Sequence, residues 1–379
     1  MPNEVLIVGG GVIGLSIARE LSLRGVRGIT LIEKGVCGEE ASWAAAGMLG
    51  PQAEADERGP LFDMQCESRD LYPKLAESLA EDTGIDIELD RTGTLYIAFS
   101  EPDADHLTAR FQWQKNAGLP VESLDPKEIK DAEPAVSTAV MALRFPGDWQ
   151  VGNRKLIDAL KKYAELNRIE IRERTAVEQL VVKDGVVVGV KTRDGLVTAG
   201  TVVLAAGAWS SKIMVGNAGP PFLVEPVRGQ IVAVHAVQRF FRHVIYCRRG
   251  YMVPRALGRI LIGSTSENVG FDRSTTSEAY KSLREMAAEV IPATAELPAM
   301  DHWSGLRPRS PDGLPVIGEL TEAKGVFAAT AHFRNGILLA PLTARIIADL
   351  IIDKRRSRYI ESFGPSRYLP ESVGNASAN

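Results

Sequence analysis

The stretch HWSGLRPRSPDGLPVIG, residues 302–318, sets Arg307 between Leu306 and Pro308, with no acidic residue within four positions on either side. A permanent cation beside apolar neighbours is costly unless something anionic meets it. Two partners answer to that pattern: a distant carboxylate of the same chain, or a ligand. A guanidinium grips a carboxylate through two parallel hydrogen bonds, fixing orientation as well as charge. Arg307 is therefore a candidate clamp for a carboxylate-bearing small molecule, and a buried structural ion pair is the other reading.

A second chemistry sits at the other end of the chain. Gly9, Gly11 and Gly14 form G-x-G-x-x-G after a short apolar run, EVLIV, and at the opening of a helical pattern. The first glycine allows the tight turn, the second lets a pyrophosphate approach the backbone, and the third lets helix and strand pack. The helix N-terminus then holds phosphates through free N–H groups and its dipole. Glu33 ends the next apolar run, 24 residues after Gly9. A carboxylate there accepts both ribose hydroxyls of an adenosine and disfavours a 2′-phosphate, hence NADP. Spacing does not choose between NAD and FAD.

The elements that must position these residues open as a βαβ unit. Residues 4–8 and 28–35 read as strands, and Ile13, Ile17 and Leu21 recur at helical spacing before Gly25. A lone NAD domain would continue with regular βα units. Here GEEASWAAAGMLGPQAE (38–54) follows, a small-residue stretch that lets backbone come close to a planar ligand or phosphate. Helices are expected over 69–84, 103–118 and 154–167, and strands over 93–99, 169–173, 176–182, 185–192 and 201–205. VVLAAGAW (202–209) ends a strand in Ala205-Ala206-Gly207, again a close backbone approach. Several antiparallel strands are expected within 222–265. The last core helix is expected over 337–354, with Pro341 in its first turn or so, where proline is tolerated. There is no internal repeat.

Bulk properties narrow the class. The 379 residues are 45% hydrophobic and 24% charged, enough for two domains or one interleaved fold. A net charge of −4 with no basic stripe argues against nucleic acid. No apolar run approaches the roughly 18 residues of a membrane span. The N-terminus enters a strand without the basic n-region of a signal peptide. Cys37, Cys66 and Cys247 stand far apart with no C-x-x-C spacing, against a disulfide framework or a zinc site and in keeping with a reducing cytoplasm. No metal is expected.

Taken together, the glycine motif with Glu33, AAAGMLG (44–50), VVLAAGAWS, PVRGQ (226–230), GLRP (305–308) and HFRNGILLAP (332–341) resemble the D-amino-acid oxidase superfamily of flavoproteins, and within it the glycine oxidases of thiamine biosynthesis. The likeness covers roughly residues 3–354. It implies an α/β fold: a Rossmann-like (GR2-type) FAD domain assembled from 1–84, 150–215 and 303–366, and an interleaved substrate domain on an antiparallel sheet from 85–149 and 216–302. A tail, 367–379, is expected to be disordered. By position, Val12, Ile13, Glu33, Lys34, Ala41, Ser42, Ala46, Gly47 and Met48 would line FAD. Val177 would contact the adenine through its backbone. His332, Phe333, Arg334, Asn335, Gly336, Ile337 and Leu338 would run past the flavin ring. Without a cysteine near GLRP, dissociable, non-covalent FAD is expected. The resemblance also implies a homo-oligomer, a tetramer, in the cytoplasm.

The implied chemistry sets three needs. A substrate carboxylate must be held so that Cα lies about 3–3.5 Å from the hydride acceptor. The amine must be neutral, which an apolar pocket promotes by desolvation. The reduced flavin edge needs positive potential. Arg307 meets the first need, Tyr251 in YMVPR matches a family tyrosine whose hydroxyl assists, and the helix start at Gly336–Ile337 meets the third. Arg334 just before it contacts substrate or flavin, or sits at a surface turn. His302 and His332 read as packing residues rather than bases. Trp43, Met48 and Trp303 are candidates to narrow the pocket. The expected reaction is oxidation of glycine, or of a small amine or D-amino acid, with O₂ reduced to hydrogen peroxide. The alternative is a D-amino-acid or sarcosine dehydrogenase that passes electrons to a quinone.

Overall fold

The structure, a computed structural model, describes residues 5–368. Its first strand, Val5–Val8, is buried on every residue and pairs in parallel with Ile29–Ile32 on one side and Thr201–Leu204 on the other. The chain passes between the first two through the helix Val12–Leu23, which ends at Arg24 and Gly25, the latter at φ +84°. Glu170–Arg172 extends the sheet at one edge. Val326–Thr330, then the antiparallel Val316–Glu319, extends it at the other, giving six strands. Side-chain alternation sorts its two faces. Val5, Ile7 and Leu31 point toward a core shared with the helices Val12–Leu23, Asn153–Leu166 and Gly336–Ala348. Leu6, Val8 and Ile32 point to a second core, shared with a four-stranded sheet that includes Val177–Lys183, Val186–Thr192 and Gly195–Thr198.

A separate eight-stranded sheet holds Thr94–Ala98, Met141–Phe145, Glu225–His235, Val244–Cys247, Gly250–Pro254, Arg259–Gly263 and Ala299–Arg309, with Glu122–Leu124 at its edge. It is antiparallel except where Val244–Cys247 runs parallel to Thr94–Ala98. Those two strands come from distant chain segments, so no hairpin forces them antiparallel. The expected boundary between residues 302 and 303 falls inside the unbroken strand Ala299–Arg309. That strand carries Arg307 from one sheet toward the other.

Several elements differ from expectation. The helix expected over 69–84 is Tyr72–Thr83, and a separate helix without an assignment in the sequence reading, Pro60–Arg69, precedes it across a break at Asp70–Leu71. The small-residue stretch holds the short helices Ala41–Ala44 and Pro51–Glu54. Residues 277–290, without an assignment in the sequence reading, form a helix capped by Thr276. Of the expected disordered tail, Arg367 and Tyr368 end a short 3-10 turn, and residues 369–379 lie outside the described residues.

Pro341 also differs, and it matters for the site. The helix begins at Gly336 and stops at Ala348, followed by a π-helical turn, so Pro341 is interior. It has no N–H for the Ile337 carbonyl, and its ring crowds that carbonyl. Two fully buried side chains repair the gap. The Tyr72 hydroxyl donates to Ile337 O at 2.5 Å. Ser68 Oγ donates to Leu338 O at 2.7 Å and accepts from Leu342 N at 3.3 Å. Tyr72→Phe should cost about 1–3 kcal/mol by leaving a buried carbonyl unpaired. In a Pro341→Ala background the new amide replaces the lost donor, so urea unfolding should show a much smaller cost. Equal costs in the two backgrounds would show that Tyr72 does not serve the proline gap.

Candidate active site

A cavity of about 320 Å³ runs from the glycine turn to Arg307. Gly9, Gly11, Val12 and Ile13 line one end, with Glu33 and Lys34 beside them. Ala41, Ser42, Ala206 and Gly207 also line the cavity, and Val177 does so from the segment that Thr175 N ties to Glu33 O at 2.9 Å. His332, Phe333, Arg334, Gly336 and Ile337 form the far wall, with Tyr251 and Arg307. The remaining expected residues support this wall without lining it. Gly14 packs on Gly9, where an added Cβ would stand 2.0 Å from the Gly9 carbonyl oxygen. Ala46 and Gly47 form the turn behind Ala44 and Ala45, and Met48 pairs with Gln150. Asn335 is the residue before the last core helix, and Leu338 turns into the core.

The nucleotide end fits an adenosine. Glu33 is buried and accepts from Gly10 N and Gly35 N, each at 2.8 Å. A carboxylate has about four acceptor sites, so capacity remains for ribose hydroxyls. No side chain caps the helix Val12–Leu23, though Ser42 Oγ accepts from Val12 N at 3.0 Å. Lys34 lies 3.8 Å above the Trp209 ring and pairs with Glu40 at 2.6 Å.

Arg307 has no carboxylate among the described residues within ion-pair distance. Its Nη1 donates to Thr265 O at 3.0 Å and its Nη2 to Ser264 Oγ at 2.7 Å. Burial pulls its pKa below the ordinary arginine value, and the nearby Tyr251 hydroxyl pulls the other way. Two glycines make room for this pair. A Cβ on Gly229 would stand 2.2 Å from both terminal nitrogens of Arg307. A Cβ on Gly263 would stand 2.7 Å from the Tyr251 hydroxyl. Gly229 is the glycine of PVRGQ, so the geometry explains a motif that sequence alone left without a role.

The turn between Val326–Thr330 and Gly336–Ala348 completes the wall. Ala331 and Phe333 adopt φ +58° and +47°, conformations that cost non-glycine residues and concentrate at functional sites. Phe333 N donates to Pro308 O at 2.9 Å, tying the turn to the Arg307 strand. Asn335 makes no side-chain cap, so the helix N-terminus presents partial positive charge at Gly336 and Ile337, both in the cavity wall.

Sequence reasoning missed Glu54. Its Oε1 accepts from Tyr246 at 2.8 Å and from Arg334 at 3.1 Å. Glu54 raises the Arg334 pKa and, with burial, that of Tyr246. The short helix bearing Glu54 is held by Asp148, which accepts from Gln52 N and Ala53 N at 3.2 and 2.7 Å, and by Arg110 donating to Ala53 O. Full burial pushes the Asp148 carboxyl up to about 7. Glu54 closes the small-residue stretch, but only the fold brings it to Arg334.

His332 is fully buried, with Nε2 3.0 Å from Thr343 Oγ1, and burial pushes its pKa down to about 3. Neither His302 nor any cysteine lines the cavity. Among the described residues no cluster of His, Cys, Asp and Glu could hold a metal, and no helix is long and apolar enough to cross a membrane.

Fold and site together define a Rossmann-type dinucleotide enzyme whose cavity ends at a guanidinium, Arg307, that has no carboxylate partner among the described residues. The chain belongs to the FAD-dependent oxidoreductase (DAO) family, whose model matches residues 4–350. It is 36% identical over 353 residues to a glycine oxidase of Pseudomonas aeruginosa, covering 93% of this chain and 95% of that protein. The crystal structure of glycine oxidase from Geobacillus kaustophilus superposes with a TM-score of 0.91 at 36% identity, over 97% of this chain and 99% of that one. A bifunctional ThiO/ThiG protein of Synechocystis is 35% identical over 97% of this chain, which spans 54% of that longer protein. The cavity suits FAD: a glycine turn, an acid with free acceptor sites, small residues in its lining and a helix N-terminus at the far wall.

Two predictions follow from this geometry. Gly229→Ala puts a methyl where the Arg307 guanidinium lies, while its backbone conformation tolerates any residue. It should lower kcat/KM by about two to three decades with flavin content and Tm near wild type; activity within a few-fold of wild type would refute the steric role. His332 gives a pH signature. The unfolded histidine protonates near 6.5, whereas the folded one resists until about 3. Between those values the unfolded state binds the extra proton, so this residue makes stability fall as pH falls. His332→Gln should flatten that part of the Tm–pH profile relative to wild type. The difference isolates His332 from Asp148, whose raised pKa acts with opposite sign. Parallel profiles would mean that the ring titrates normally.

Proposed function

We propose that this protein oxidises glycine, or a comparably small amino acid, to its imine with FAD as cofactor and O₂ as electron acceptor, and that it serves thiamine thiazole synthesis. The observation that carries the reading is Arg307, a charged group at the cavity wall with neutral partners and no acid. FAD, when bound, accepts a hydride from the substrate Cα and passes the electrons to O₂, giving hydrogen peroxide. The imine then hydrolyses or is handed on. The two-part ThiO/ThiG relative supports a hand-over to a thiazole-forming partner.

Each residue has a task in this reading. Arg307 grips the substrate carboxylate with the guanidinium edge not used by Ser264 and Thr265. Tyr251, held beside it by Gly263, offers its hydroxyl to the same carboxylate. The Gly336–Ile337 amides supply positive potential at the reducible end of the channel. Arg334 is already neutralised by Glu54 and guards the entrance. His332 is committed to Thr343 and takes no proton; desolvation of the amine favours its neutral form. The division into an FAD-binding part and a substrate-binding part, a cytoplasmic location and a tetrameric assembly belong to the same proposal.

The decisive experiment is Arg307→Ala with two substrates. Loss of a desolvated bidentate pair should reduce kcat/KM for glycine by on the order of 3–5 kcal/mol, two to four decades, with FAD retained. Turnover of a small amine lacking a carboxylate should change far less. An equal loss on both substrates, or loss of the flavin itself, would overturn the clamp. Peroxide should form at one equivalent per turnover in air. Flavin that bleaches with glycine and recovers only with a quinone analogue would assign the alternative, a dehydrogenase.

A further inference from the structure

Behind the cofactor wall lies a second group of unmatched cations. Arg154 stands in the first turn of the helix Asn153–Leu166, Arg255 follows the strand Gly250–Pro254, and Arg259 begins the strand Arg259–Gly263. The Arg154 guanidinium carbon sits 3.4 Å from the Trp43 ring centre and 4.9 Å from that of Trp303, and the Arg259 carbon sits 5.5 Å from Trp303. The two indoles meet edge to face at 5.7 Å. None of the three arginines makes an ion pair among the described residues. Arg154 Nη2 and Arg259 Nε are buried with no hydrogen-bond partner. The nearest opposing charges, Asp301 for Arg154 and Glu88 and Asp90 for Arg255, act only at longer range. Asp90 is already paired with Arg239.

Three guanidiniums so arranged repel one another, and unpaired buried donors add a desolvation cost. Burial and then Arg259 pull Arg154 down to about 10; burial likewise pulls Arg255 to about 10, with Glu88 and Asp90 opposing and Arg259 and Arg154 adding to the effect. Stacking on indole faces offsets part of this but leaves the in-plane donors open. We infer that the Arg154–Arg255–Arg259 cluster is a binding site for a dianionic phosphate group, either inorganic phosphate or a phosphate monoester. Arginine forks match the oxygens of such a group, and a dianion balances more of the three charges than a lone carboxylate does.

The site is separate from the cofactor cavity, since none of the three arginines and neither tryptophan lines it. It is nonetheless linked to that cavity. Arg154 Nε donates to Trp43 O at 3.4 Å, and Arg255 Nη2 donates to Ala46 O, so both brace the segment carrying Ala41, Ser42, Ala44 and Ala45. An anion drawing these guanidiniums together would stiffen that segment.

The test uses FAD-saturated protein, so that the cofactor's own phosphate sites are filled. Inorganic phosphate and phenyl phosphate are titrated separately against tryptophan fluorescence and Tm, with sodium chloride at matched ionic strength as control. Phosphate should raise Tm and change the emission saturably where chloride does not; the arm with the tighter midpoint identifies free phosphate or monoester. Arg259→Gln and Arg154→Gln should each weaken the effect by on the order of tenfold to a hundredfold. Glycine turnover without phosphate should stay near wild type in Arg259→Gln. The inference fails if chloride reproduces the effect or if both variants keep it. It also fails if phosphate does nothing while Arg259→Gln dissociates the assembly, because the cluster would then meet carboxylates of a second copy.

Discussion

Among the described residues, Arg307 is a fixed charge whose hydrogen-bond partners are a carbonyl and a hydroxyl. A guanidinium in that position has a large desolvation cost and no internal acid to offset it, so the surrounding structure must hold it by shape. The Ala299–Arg309 strand provides the shape. It pairs with Glu225–His235 over its length, setting Gly229 two positions from the residue opposite Arg307 and leaving the guanidinium the volume a side chain would fill. The same ladder passes to Arg259–Gly263 and Gly250–Pro254, which bring Gly263 opposite Tyr251. One run of antiparallel register therefore places clamp, hydroxyl and both absent side chains.

The cofactor wall has a different support. Its far end is a helix N-terminus, and a helix with an interior proline would ordinarily kink or fray there. Tyr72 and Ser68, on the two helices that follow the small-residue stretch, supply the missing hydrogen bonds from outside. The start of the helix can thus stay open toward the cavity while its middle stays anchored in the main core. The strained turn at Ala331 and Phe333 then joins the helix to the Arg307 strand through a single backbone bond to Pro308. Cofactor end and substrate end are fixed to each other by backbone rather than by flexible side chains, as a reaction needing close approach of two molecules requires.

What was legible from sequence follows from locality. The opening βαβ, Glu33 and the first glycines depend on spacing within about 30 residues, and the structure places them with little change. Arg307 was legible because a cation with no nearby acid is a local anomaly. Glu54 was not: its meaning lies in Tyr246 and Arg334, 192 and 280 residues away. Gly229 and Gly263 stood in plain view, but a glycine required for close approach looks like any other until its neighbour is known. The helix Pro60–Arg69 was missed because Leu71, Leu75 and Leu79 mark only the second helix, Tyr72–Thr83, and their spacing says nothing of what precedes it. Pro341 was read as tolerated near the helix start; the start, Gly336, lies one residue before the expected 337, and the proline falls just past the positions whose N–H groups need no helical acceptor.

The charges in and around the cavity bear on which substrates fit. Arg334 and Glu54 cancel each other, and Tyr246 uses the same Glu54 oxygen, so that corner presents a neutralised pair whose acid is only partly exposed. Arg307 remains the uncompensated cation of the substrate end. A substrate with one carboxylate satisfies it and leaves the balance even. A second carboxylate would have to compete with Glu54 for Arg334, whose side chain is 49% exposed. In the proposed reading this charge balance favours monocarboxylates, because a second carboxylate finds Arg334 already matched by Glu54. Glycine, in the same proposed reading, with one carboxylate, one amine and nothing to place near Glu54, supplies the acid that Arg307 lacks and leaves the Arg334–Glu54 pair intact.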